Sequence, residues 1–164
     1  MYRLISYLKF LCSATNQHGV HSPFVYNYVT KCLYKKTKIN LPITLKVLVK
    51  SLHYFDYRTI HLLNTSKSSE EKIITNCPNI SIVDSNAAVV FGDITDINKP
   101  NFKVNDLSND TMLLLDGIHK NPQNLKKWKQ LKEMEHVRVT LDLFYCGIVF
   151  FRKEQVKEHF KIRI

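Results

Sequence analysis

The apolar pattern changes period once along this chain, and no other feature constrains its fold as much. Up to about residue 56 the apolar residues recur every three to four positions. Met1, Leu4, Ile5, Leu8, Leu11 and Cys12 form a first stripe, Phe24, Val25, Tyr28, Val29, Cys32 and Leu33 a second, and Leu45, Leu48, Val49, Leu52 and Phe55 a third. These spacings predict three helices, the second opened by Ser22 as N-cap with Pro23 at the first helical position. From Thr59 onward short apolar runs alternate with polar stretches instead. Thr59–Leu63, Ile80–Val83, Ala87–Phe91 and Met112–Leu115 are expected strands, and Gln123–Glu135 a helix with Leu125, Trp128, Leu131 and Met134 turned inward. Val137–Leu143 and Gly147–Arg152 should close the sheet as an antiparallel pair, because the linker between them is too short for a parallel crossover. The expected fold is α/β, with a sheet of about six strands ending in an antiparallel hairpin. It is expected as one domain over 1–164, with a helical extension or lid at 1–56 and an α/β core at 57–164.

Composition bounds the partners. A chain of 164 residues, 45% of them hydrophobic, is long enough to bury a real core. The most apolar stretch near the start, Leu4 to Cys12, is interrupted by Lys9 and far short of a spanning helix, so its stripe is read as a packing face and no membrane partner is expected. Cys12, Cys32, Cys77 and Cys146 are widely spaced with no Cys-x-x-Cys pair. They read as isolated thiols in a reducing cytoplasm, with no metal site. His18 and His21 lack a third ligand nearby and are read as part of a turn before Ser22. The net charge is +10, and residues 1–55 contain eight Lys or Arg and no Asp or Glu. Such asymmetry can gather anions, nucleic acid among them. Solvated helix faces are the favoured reading, since no basic-aromatic motif of a nucleic-acid module is present.

Between Gly19 and Gly92 the chain has no glycine. That interval contains the strand-to-helix turn Thr59–Glu71, where an α/β domain that binds a nucleotide cofactor normally needs glycines for close backbone approach. Here Asn64 is the residue able to adopt a left-handed conformation, and the hydroxyl of Ser66 is the substitute hydrogen-bonding group. Ser68 and Glu71 fit a capping box, and the two glutamates at that helix start disfavour an anionic group. The other candidates follow expected strands, at the carboxyl ends where such sheets do their chemistry. Asp84 stands about twenty residues beyond the first strand, the usual relation for a carboxylate on a ribose diol. Asp93 follows the third strand, within reach of an adenine amino group. Asp116 and His119 follow the fourth, where a carboxylate and an imidazole could remove a proton from a substrate hydroxyl.

Three stretches carry a family resemblance: TNQHGVHSPFVYNYVT at 15–30, MLLLDGIH at 112–119 and VRVTLDLFYCGIVFFRKE at 137–154. With them the chain resembles bacterial class I S-adenosylmethionine-dependent methyltransferase-like proteins. The resemblance implies a Rossmann-like sheet, S-adenosylmethionine as cofactor and a small-molecule methyl acceptor. It also implies Asn64, Ser66, Asp84 and Asp93 on the cofactor side and Asp116 with His119 on the reaction side. Two departures bear on activity. The family's E-x-G-x-x-x-G loop is replaced by the glycine-free segment, and the chain is short between Met112–Leu115 and the hairpin, as if a fifth strand and a helix were missing. Weak or absent catalysis is therefore expected. The alternatives are a non-catalytic binding or assembly protein on the same fold, or a basic nucleic-acid-binding protein. Loss of the fifth strand would leave a free edge and favour a homodimer.

Overall fold

The computed structural model describes residues 1–164. Its centre is a mixed sheet of seven strands: β1 Thr59–Leu62, β2 Ser81–Ile82, β3 Val89–Asp93, β4 Met112–Asp116, β5 Val139–Asp142, β6 Cys146–Phe150 and β7 Glu158–Lys161, in the order β2-β1-β3-β4-β6-β5-β7. The first four run parallel, β6 is antiparallel to both β4 and β5, and β7 runs parallel to β5. The architecture is thus α/β, and the hairpin forms as its short linker dictates. Every expected strand is present with its ends shifted by a residue or two.

Two expectations fail. The sheet has seven strands rather than six, because Glu158–Lys161 forms an edge strand whose alternation is hidden among charges. No free edge adjoins Met112–Asp116, since β4 bonds to β3 on one side and β6 on the other. The chain is short there, yet the hairpin closes directly onto β4. The true edges are the two-residue β2 and the charged β7.

Strand alternation divides the core. Ile60, Val89, Phe91, Met112, Leu114, Leu141, Ile148 and Phe150 face one way, toward helices α2 (Pro23–Tyr28, continued by a π turn over Val29–Leu33), α3 (Ile43–Phe55) and α4 (Lys67–Asn76). Val90, Leu113, Leu115 and Val149 face the other way, toward α5 (Pro122–Glu133) and two 3-10 turns. Trp128 of α5 lies flat on Gly147 of β6, where a Cβ would sit 2.6 Å from its ring, so only glycine lets helix and sheet approach this closely. Ser22 caps α2 with Pro23 behind it, as its sequence predicts.

The first helix, α1 (Tyr2–Ser13), departs from expectation. It stands at the carboxyl ends of the central strands, with Ser6 and Phe10 inward, against the hairpin turn. The stripe read as its packing face points to solvent: Met1, Leu4, Ile5 and Leu8 are 101%, 64%, 46% and 54% exposed. The periodicity is helical, but Ser6, Phe10 and Ala14 supply the buried side because they meet His119 and Phe144. No helix is long and apolar enough to cross a membrane.

Candidate functional site

Strand β1 connects outward to β2, whereas the chain then returns to place β3 on the other side of β1. The carboxyl ends of β1 and β3 therefore flank a topological switch point, the usual place for a ligand in an open α/β sheet. Here Leu63, next to Gly92 in the β1–β3 register, packs closely on it and lines a small cleft. Gly92 of β3 has Leu63 over it, so close that a Cβ at Gly92 would lie 2.7 Å from the Leu63 Cβ and 3.0 Å from Asp96 Oδ2. Leu63 is buried and donates its N–H to the Phe91 carbonyl at 2.7 Å, which draws the loop onto β3.

Of the residues assigned to a cofactor, Asp93 is the cross-strand partner of Asp116, while Asn64, Ser66 and Asp84 are dispersed. Asn64 adopts the expected left-handed conformation, with φ 48°, and borders a small cleft with Asp96 and Lys99. Ser66 is the N-cap of α4 and accepts from the Ser69 N–H at 3.3 Å. The helix thus begins two residues earlier than a Ser68–Glu71 capping box requires. Asp84 lines a separate cleft with His61, Asp106 and Thr111. Asp93 is the N-cap of a 3-10 turn, Ile94–Asn98: its Oδ1 accepts from the Thr95 N–H and hydroxyl, while Asp96 accepts from the Asp93 N–H at 2.9 Å. That reciprocal box, held further by Lys99 at 2.5 Å from Asp96, went unread in the sequence because both its acids resemble ordinary turn residues. These residues do not fit S-adenosylmethionine. Side chains stand where close backbone approach needs glycines, and two of the four assigned polar groups are spent on caps.

Asp116 and His119 do come together. They line a cleft of about 420 Å³ with Arg3 of α1, the start of α3 from Pro42 to Leu45, Ser69 of α4, Phe91, Lys120, Phe144 and Tyr145. Helices from the first third of the chain thus cover the carboxyl ends of β3 and β4. Asp116 Oδ1 accepts from the Thr44 hydroxyl at 2.5 Å, tying α3 to β4. Behind it, burial pushes the Cys146 thiol far up, and the carboxylates of Asp116 and Asp142 push the same way. Cys146 stays a neutral thiol at pH 7, with no nucleophilic role.

His119 is engaged at both nitrogens. Its Nε2 lies 2.8 Å from Asp142 Oδ2, and its Nδ1 lies 2.9 Å from Ser6 Oγ. With Asp142 accepting, Nε2 carries a proton, and in the neutral ring Nδ1 accepts from the hydroxyl. Ser6, His119 and Asp142 are all buried, and Ser6 does not line the cleft. The series Ser6–His119–Asp142 therefore fastens α1 to the sheet, while His119 also borders the cleft. Phe144 completes it: its ring stacks on His119 with centroids 4.9 Å apart, and its N–H donates to Asp142 Oδ1 at 2.9 Å. Its backbone sits at φ 69°, a costly conformation for a bulky residue that these contacts hold in place. Sequence reading missed Ser6, Thr44, Asp142 and Phe144. For Asp142 a signal existed, an acid within an otherwise apolar strand.

His18 is exposed beside Gln17, and no group of three or more His, Cys, Asp or Glu side chains is arranged to hold a metal. The chain matches no family model, no curated protein and no solved structure. The family reading accordingly rests on its motif residues alone.

Proposed function

We propose that this chain is an S-adenosylmethionine-dependent methyltransferase-like protein, on a shortened Rossmann-like sheet, that keeps a small-molecule cleft and has lost effective methyl transfer. The observation that carries this reading is the closely packed switch point, Leu63 on Gly92, beside an intact cleft at Asp116. The cleft offers Arg3 and Lys120 as cations, the Thr44 and Asp116 pair as a polar centre, and Phe91, Phe144 and Tyr145 as apolar walls. That chemistry favours a small acidic or hydroxylated molecule, the same class the ancestral acceptor would have been. Its volume lies within the usual range of ligand sites, roughly 300–1,000 Å³.

Isothermal titration with S-adenosylmethionine and S-adenosylhomocysteine tests the loss. The expected outcome is no saturable heat up to millimolar ligand from a folded sample. Micromolar binding of either compound would mean that the loop opens to admit a cofactor, and the protein would then be treated as an active transferase.

A further inference from the structure

We infer that α1 is an interfacial helix, lying in the plane of an anionic lipid surface with its outward stripe inserted. Met1, Leu4, Ile5 and Leu8 follow the spacing of one helix face, and all four are exposed, directly opposite the buried Ser6 and Phe10. A contiguous aliphatic stripe facing water is unusual on a folded protein and marks a contact surface. Charge selects the occupant. Lys9 flanks the stripe, whereas Arg3 lies on the cleft side over Tyr145; pairing of Thr15 with Ile162 brings Lys161 and Arg163 to the carboxyl end of the helix, where Lys161 Nζ donates to Ser13 Oγ at 2.9 Å.

No carboxylate in residues 1–55 offsets these cations. A second copy docked through the same stripe would bring like charges together without a local acid to pair them. A layer of anionic headgroups supplies the missing charge where Lys9, Lys161 and Arg163 gather at the carboxyl half of the helix. At 12 residues α1 is too short to span a bilayer, and a convex aliphatic face bordered by cations is what an in-plane helix presents. This departs from the expectation of no membrane partner, which rested on reading the stripe as a packing face. It is independent of the cofactor question, because the stripe lies outside the cleft.

Sedimentation of the whole chain with vesicles tests it. Binding is expected to vesicles of equal phosphatidylglycerol and phosphatidylcholine but not to phosphatidylcholine alone, and to weaken with added salt. Leu4→Ser with Leu8→Ser should lower the partition at least about tenfold while leaving the circular dichroism unchanged, since both side chains are exposed. In a separate variant, Leu8→Trp should shift its emission to the blue on anionic vesicles only. Absence of binding to anionic vesicles, an unchanged partition in the double variant, or a dimer of the parent chain that the double variant dissolves would each overturn the inference.

Discussion

At the scale of single residues, His119 shows how a reactive side chain can be given a mechanical task. A histidine after a strand-ending aspartate reads as chemistry, because both groups can exchange protons at the mouth of a sheet. The imidazole also bridges Ser6, 113 positions away in the chain, and Asp142, 23 positions away. Asp142 is the hub, since it accepts from the ring and from the Phe144 N–H in a site shielded from water. Asp142→Ala would leave two buried donors without an acceptor and release the Phe144 backbone. The expected cost is about 3 kcal/mol, measured as a lowered midpoint in urea. Asp142→Asn, which keeps one acceptor oxygen, should cost less than half as much. The Ser6 partner of His119 was not legible beforehand, because side-chain meetings across such separations are set by how α1 crosses the sheet.

Elements were read well where their periodicity served the core, and poorly where it did not. The second and third helices and the parallel strands have apolar faces that coincide with burial, so pattern and packing agree. Helix α1 is apolar toward solvent, so pattern and packing disagree and the wrong face was assigned. Strand β7 carries Glu158, His159 and Lys161 on an edge, a composition that keeps an edge from pairing with other chains and also hides it from pattern reading. His159 makes that strand sensitive to pH. Partial burial, with Lys132 and Lys157 nearby, holds its imidazole below the ordinary value of 6.5, while its Nδ1 lies 2.9 Å from the Thr140 hydroxyl. Below 6.5 the unfolded chain takes up this proton before the folded chain does. Stability should therefore fall as pH drops through that value, and level off once the folded pKa is passed. His159→Gln should flatten that part of a denaturation midpoint against pH curve.

At the scale of the whole molecule, the decisive feature is how closely β1 and β3 meet at their carboxyl ends. Leu63 packs over Gly92 there and joins the core. Gly92→Ala should cost about 1–3 kcal/mol, since both the Leu63 side chain and its carbonyl would have to shift. Leu63→Ala alone should cost about 2–3 kcal/mol through its cavity. Because the Leu63 Cβ that meets a Gly92 side chain is kept in alanine, these two changes should add, whereas Leu63→Gly should relieve at least about 0.5 kcal/mol of the Gly92→Ala cost, read from paired denaturation curves. The sequence by itself determined the α/β class, the parallel run followed by a hairpin, the left-handed Asn64 and the absence of glycines where a cofactor loop needs them. These follow from local sterics and from periodicity, which act between near neighbours. Only the tertiary structure decided that the hairpin closes directly onto β4, that Asp93 stands beside Asp116 while Asp84 lines a separate cleft, and that α1 turns its stripe outward. Those outcomes depend on strand order and on contacts between distant segments, where competing apolar faces are resolved by the total area and hydrogen bonding that the fold can bury.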